Sequence, residues 1–109
     1  MKAHVFVPGK LGQDATVKEF DNGRAVIEFS VASNSFFTDK NGERIQNTQW
    51  HTCKKFTTEV NQKFVDLLKK GASVLVSGSL MYNEWEETAG KKTIKHKDAY
   101  IQVIDIDLS

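Results

Sequence analysis

Residues 59–70 carry the one helical pattern in this chain, and everything around them reads with a period of two. Val60, Phe64, Leu67 and Leu68 recur at i, i+4, i+7 and i+8, a single face of a 3.6-residue repeat. Thr57 or Thr58 is placed to cap the start, and Gly71 follows the end. Lys69 and Lys70 fall in the last turn, where the helix dipole favours cations. Such a helix is most simply a plug for a core built by strands. Ile27, Phe29 and Val31 alternate with Glu28, Ser30 and Ala32, and Val74, Val76 and Leu80 share one side of residues 73–82. Asp21-Asn22-Gly23 joins residues 16–20 to 24–34 in a tight hairpin, because asparagine and glycine tolerate positive φ. Asp39-Lys40-Asn41-Gly42 turns between the Phe36-Phe37 pair and the strand holding Trp50. Ala89-Gly90-Lys91 turns into residues 93–106.

The expected class is therefore all-β with one helix, in the order β-β-β-α-β-β. That is the order of a five-stranded OB-fold, a Greek-key barrel with its helix between strands 3 and 4. With 109 residues and no linker, repeat or low-complexity tract, the chain is expected to form one domain over residues 1–109. Cys53 is the only cysteine, so no intrachain disulfide is possible and a reducing compartment is the default. No apolar run approaches the ~20 residues of a membrane span, and the N-terminus lacks the pattern of a secretory signal. A cytoplasmic protein is expected. Formal net charge is only +1, so any affinity for nucleic acid must arise from local arrangement.

One local arrangement stands out. In the strand Gln49-Trp50-His51-Thr52-Cys53-Lys54-Lys55-Phe56, residues Trp50, Thr52, Lys54 and Phe56 share a face. A packed core excludes the lysine, and an ordinary solvated face has no use for the tryptophan. A surface that stacks unpaired bases and neutralises the phosphates between them needs both. His51 and Cys53 share the other face but do not make a four-ligand zinc set, so no metal is expected and Cys53 reads as an inert buried thiol. No nucleophile–base pair, phosphate-binding loop or carboxylate pair stands out, and neither an enzyme nor a cofactor is expected.

Several fragments occur together in order: Leu11-Gly12-Gln13-Asp14, Asn22-Gly23, Phe29-Ser30-Val31-Ala32-Ser33-Asn34, Thr48-Gln49-Trp50-His51, Leu68-Lys69-Lys70-Gly71 and Val76-Ser77-Gly78-Ser79-Leu80, with Trp85 ahead of the Gly90 turn. As a set they resemble the bacterial single-stranded-DNA-binding protein family over nearly the whole chain. The resemblance implies an OB-fold that coats single-stranded DNA without sequence readout, in replication, recombination or repair. It also implies a homo-oligomer, a tetramer or else a dimer, and neither a membrane nor a small-molecule substrate as partner. The base-stacking aromatics it carries over are Trp50, Phe56 and Trp85. Phe37 stands where many members have tryptophan, although Phe36 beside it points the other way and either can be the exposed one. Lys54 and Lys40 are the candidate phosphate contacts, with Thr52 between them on the DNA face. His51 matches a histidine found at a subunit interface.

The chain departs from the family pattern in four places. The hairpin ahead of Trp85 reads Met81-Tyr82-Asn83-Glu84, where arginine is common, and Glu86 and Glu87 follow. Lys91, Lys92, Lys95 and Lys97 on the returning arm either supply compensating charge or pair with those glutamates. Lys55 replaces an apolar residue on the His51 side, and Pro8 suits only an edge or a strand end. Finally, residues 105–109 close the sequence where chromosomal members continue into a flexible tail with an acidic end. The expectation is a phage- or plasmid-type protein or a trimmed chain. The alternative function is a protein-interaction OB module of a primosome or recombination complex with weak DNA affinity.

Overall fold

A computed structural model describes residues 2–108. The elements are β1 (His4–Leu11), β2 (Thr16–Glu19), β3 (Ala25–Thr38), β4 (Arg44–Thr57), α1 (Gln62–Leu67), β5 (Ser73–Ala89) and β6 (Lys92–Leu108). β1 pairs antiparallel with β5, β5 with β6, and β3 with β4. A short parallel contact, Cys53↔Ile101 and Lys54↔Gln102, joins β4 to β6. Lys10↔Ala32 and Leu11↔Val31 return β1 to β3 and close the barrel, with β2 lying beside β3. Counted as one interrupted strand, β1 and β2 complete the expected five-stranded barrel with its helix between the third and fourth strands.

The interruption has a hydrogen-bonded cause. After Leu11 the chain leaves the ladder to hold the end of the helix. Leu11 N–H donates to Ala72 O at 3.0 Å, Gly71 N–H to Leu11 O at 2.8 Å, and Ala15 N–H to Leu68 O at 2.8 Å. Asp14 Oδ1 accepts the Lys70 N–H at 2.8 Å, and Asp14 Oδ2 lies 3.9 Å from Lys69 Nζ. Lys69 and Lys70 thus serve a loop contact beyond the helix rather than its last turn.

The helix is shorter than its periodicity suggests. Asn61, not Thr57 or Thr58, caps it, its side chain accepting the N–H groups of Lys63 and Phe64. Thr57 instead ends β4, its hydroxyl donating to Glu59 O at 2.7 Å. Val65 and Leu68 are the residues driven into the core, while Leu67 is 57% exposed. The cap moved the start by three residues, while Val60 and Phe64 still pack against the core as the periodicity suggests, and Val65 takes the place expected of Leu67. Around that plug Leu11, Ile27, Val31, Val76 and Ile101 are each buried, contributing about 1.5–3 kcal/mol apiece. Pro8 lies inside β1 opposite Leu75, on a strand whose other edge meets β3 only at Lys10 and Leu11.

Two hairpins run well past the barrel. From Asn34 in β3 and through residues 44–50 of β4 every side chain is exposed, as is every side chain of β5 from Tyr82 onward. The radius of gyration is 17.0 Å, against about 13 Å for a compact chain of this length. The arms account for the excess.

Candidate nucleic-acid interface

The ladder decides which side chains face outward. Cys53 and Ile101 are paired and buried, so the residues on either side of each point out of the barrel. On β4 this outward row is Arg44, Gln46, Thr48, Trp50, Thr52, Lys54 and Phe56. Trp50 is 61% and Phe56 50% exposed, far from core values. Trp50 lies against Gly12 so closely that a β-carbon there would run into the indole. A groove of about 390 Å³ opens beside it, lined by Gly12, Asp14, Glu28, Ser30, Trp50 and Thr52. Phe56 borders a second hollow with Phe20 and Arg24.

Lys54 Nζ stands 4.8 Å from the centre of the Tyr100 ring. Tyr100 continues the outward row onto β6, where Met81↔Tyr100 and Trp85↔His96 are register partners four residues apart, about 13 Å along a strand. Trp85 stacks on His96, ring centroids 5.1 Å apart at an interplanar angle of 14°, and His96 Nε2 is 3.1 Å from Glu87 Oε2. Trp50, Thr52, Lys54, Phe56 and Trp85 therefore belong to one continuous surface, joined through Tyr100.

Phe37 does not join them. Ala32↔Trp50 and Phe36↔Gln46 fall on the outward side, whereas Phe37↔Ile45 falls on the side of His51. Both phenylalanines are 53% exposed. Exposure alone does not separate them; register does. Lys40 is exposed in the turn that Asp39 organises by accepting the N–H groups of Asn41 and Glu43, each at 2.9 Å. That turn lies at the far tip of the β3–β4 arm, six strand residues beyond Trp50, or about 20 Å. Lys95 and Lys97 pair with Glu86 and Glu84 on the reverse of the Trp85 ribbon. Lys97 Nζ is 3.8 Å from Glu84 and 4.3 Å from the Tyr82 ring centre. The charge of Lys97 is spent across the hairpin, away from Trp85.

On the inner side, His51 Nε2 and Ser33 Oγ are hydrogen-bonded at 2.9 Å. Burial pushes the Cys53 thiol up to about 12, which keeps it protonated at neutral pH. Among the described residues no group of three or more His, Cys, Asp or Glu could hold a metal ion. Reading the sequence missed Tyr100, Arg44, Phe20 and Arg24. Alternation around Ile101 and Val103 marks Tyr100 as outward, but its place beside Lys54 depends on the parallel β4–β6 contact, which no local pattern announces.

A small barrel with an outward aromatic row and unpaired cations between the rings defines a class of oligonucleotide-binding OB proteins. The chain belongs to the single-strand binding protein family, which it matches over residues 3–105. Single-stranded DNA-binding proteins of Neisseria meningitidis serogroup A and serogroup B are each 34% identical to it over 88 residues, covering 79% of this chain and 49% of theirs. The chain thus spans about half the length of these relatives. A deletion mutant of the single-stranded DNA binding protein from Thermus aquaticus superposes with a TM-score of 0.76 at 25% identity, over 97% of this chain and 49% of that one. The Plasmodium falciparum SSB in complex with ssDNA superposes at 0.73 and 25% identity, over 98% of this chain and 92% of that one.

Proposed function

We propose that this chain binds single-stranded DNA without reading its sequence and protects it during replication, recombination or repair. The observation that carries this reading is Trp50, a tryptophan left 61% exposed at the centre of an outward row that also holds Lys54 and Phe56. Trp50, Phe56 and Trp85 stack bases, each contributing about 1–3 kcal/mol. Lys54 neutralises phosphate, with Thr52 beside it and Lys40 reaching the strand from the arm tip. Neither Lys54 nor Lys40 is held in an ion pair among the described residues, so both charges are free for a ligand. Binding of this kind makes and breaks no covalent bond and calls for no catalytic residue, metal or cofactor.

We further infer that residues 1–109 act as one OB domain, in the cytoplasm, within a homo-oligomer that has His51 near a subunit boundary. Supporting this, Phe6 on β1 is 72% and Leu75 on β5 is 40% exposed on neighbouring strands, an apolar patch that suits cover by another protein surface. No helix among the described residues is long and apolar enough to cross a membrane. The test of the central reading is intrinsic tryptophan fluorescence during titration with oligo(dT). Strong saturable quenching is expected, with Trp50→Ala lowering affinity about 5- to 140-fold, the equivalent of one stacked base. An intact fold with no quenching at micromolar protein overturns it.

A further inference from the structure

We propose that His96 is a proton-dependent phosphate contact beside Trp85, so that this chain takes up a proton as it takes up DNA. The inference rests on the DNA-binding reading above and adds a linkage to it. Trp85 and His96 are register partners on β5 and β6, and both side chains leave the arm on its outward side. Their ring centroids lie 5.1 Å apart at an interplanar angle of 14°, while Trp85 remains 46% exposed. The imidazole backs one face of the indole and the other face stays open. His96 Nε2 is 3.1 Å from Glu87 Oε2. An ionised carboxylate only accepts, so Nε2 carries the hydrogen and donates it. The stack fixes the plane of the imidazole, and Glu87 fixes its rotation within that plane. Nδ1 is left with its lone pair and has no hydrogen-bond partner among the described residues.

The surroundings give that nitrogen its effect. Sharing this side of the arm are Lys92 and Asp98 on β6 and Glu87 on β5, the strand packed against it, with Tyr100 two residues beyond Asp98. While His96 is neutral, two carboxylates here face one ammonium, a poor field for a phosphate next to Trp85. A proton gained at Nδ1 balances those charges and turns a lone pair into a charged N–H donor, which a phosphate oxygen accepts. Lys95 and Lys97 do not supply this charge, since they lie on the reverse of the arm and Lys97 is paired with Glu84. Histidine changes charge between about pH 5 and 8, so the contact strengthens on acidification within that range. The coupling is reciprocal: whatever the proton adds to affinity for DNA, bound DNA adds to affinity for the proton.

The experiment is the anisotropy of labelled oligo(dT) titrated with the parent, His96→Phe, His96→Gln and Glu87→Gln proteins, in pH steps from about 8 to about 5 and at several salt concentrations. Circular dichroism is run on each protein at both ends of the range. The parent should bind about 1.5- to 5-fold more tightly at the acid end, the gain of one exposed charge pair. Its log–log salt slope should steepen there by about 0.7, one more phosphate. His96→Phe keeps a ring beneath the indole but has no proton to gain. His96→Gln keeps a donor for Glu87 without the charge. Neither should gain affinity or slope on acidification. Glu87→Gln removes the carboxylate that favours the imidazolium, so its gain should appear at lower pH than the parent's. A gain that persists in His96→Phe comes from His4, His51 or the carboxylates and overturns the proposal. A parent profile flat in affinity and slope overturns it too, and leaves the DNA-binding reading standing. Absence of oligo(dT) binding at every pH removes that reading and this contact with it.

Discussion

Gly9 and Gly12 are three residues apart, and a methyl group at each meets a different obstacle. At Gly9 the new β-carbon runs into the Ala32 carbonyl, fixed backbone of the barrel closure, so Gly9→Ala should cost about 1–3 kcal/mol in urea unfolding. At Gly12 it runs into the ring of Trp50, the far end of an exposed side chain that can swing away. Gly12→Ala is therefore expected to unfold like the parent but bind oligo(dT) several-fold more weakly, with a shifted tryptophan emission. Equal stability losses at the two sites would show that the indole is not the yielding partner. Cys53 gives a pH prediction at the same scale. Burial raises its thiol from 9.0 to about 12, favouring the protonated form in the folded chain. The stability this supplies is complete below pH 9 and declines as pH rises toward 12, because the unfolded chain ionises first. At pH 10 the decline amounts to about 1.4 kcal/mol. Urea unfolding at pH 8 and pH 10 should show that loss in the parent and not in Cys53→Ala, and parallel losses in both would refute it.

At the scale of elements, barrel and arms are separate structural problems. The arms bury nothing; ladder hydrogen bonds, Trp85 on His96 and the Lys97–Glu84 pair hold the β5–β6 arm together. Excising residues 84–97 and joining Asn83 to Asp98, already register partners, through Asn-Gly should leave a cooperatively folding barrel. Its affinity for oligo(dT) should drop by the contribution of Trp85, again about 5- to 140-fold. Loss of barrel circular dichroism would mean that the arm supports the fold. This division also explains what the sequence disclosed. The barrel was legible because its residues obey burial: Ile27, Phe29 and Val31 alternate inward, and Asn22 and Gly23 take the positive φ their turn requires. Of the arms only the turns were legible, at Asp39–Gly42 and Ala89–Lys91; how far the strands run was not, since β3 continues to Thr38 and β5 to Ala89 on side chains that never enter a core, leaving no apolar period to read. Helix length depended on Asn61, a cap competing with two threonines of similar chemistry. Phe36 and Phe37 differ only in register, which is counted from a turn whose geometry the letters leave open. Trp50, Thr52, Lys54 and Phe56 escaped that ambiguity because they share one strand and need parity alone.

For the whole molecule the governing fact is a near-neutral chain, net +1, that presents its aromatic groups outward. Carboxylates occupy two of its cations among the described residues: Asp14 lies beside Lys69, and Glu84 beside Lys97. On the outward face Glu28 stands opposite Lys54 in the ladder, which dilutes the positive field further. The cations nearest the rings are Lys54 and Arg44, with Arg24 beside Phe56 and Lys40 at the arm tip, while Lys10, Lys18 and Lys92 lie farther out on the same face of β1, β2 and β6. Two to four neutralised phosphates per chain, those reached by the cations nearest the rings, give a slope of log affinity against log salt near −1.4 to −2.8, at about −0.7 per phosphate on single strands. Stacking does not release counterions, so the larger part of the affinity should persist as salt rises. The measurement is oligo(dT) binding at salt concentrations spanning a decade, with the slope normalised to the number of chains in the assembly seen by light scattering. A slope equivalent to six or more phosphates per chain would sink the account, since it would enlist Lys10, Lys18 and Lys92 besides the cations beside the rings. It would mean that the strand follows lysines away from the rings, whether these or Lys95 and Lys97 on the reverse of the β5–β6 arm. A shallow slope combined with loss of binding in Trp50→Ala would place the affinity in the rings, as their exposure requires.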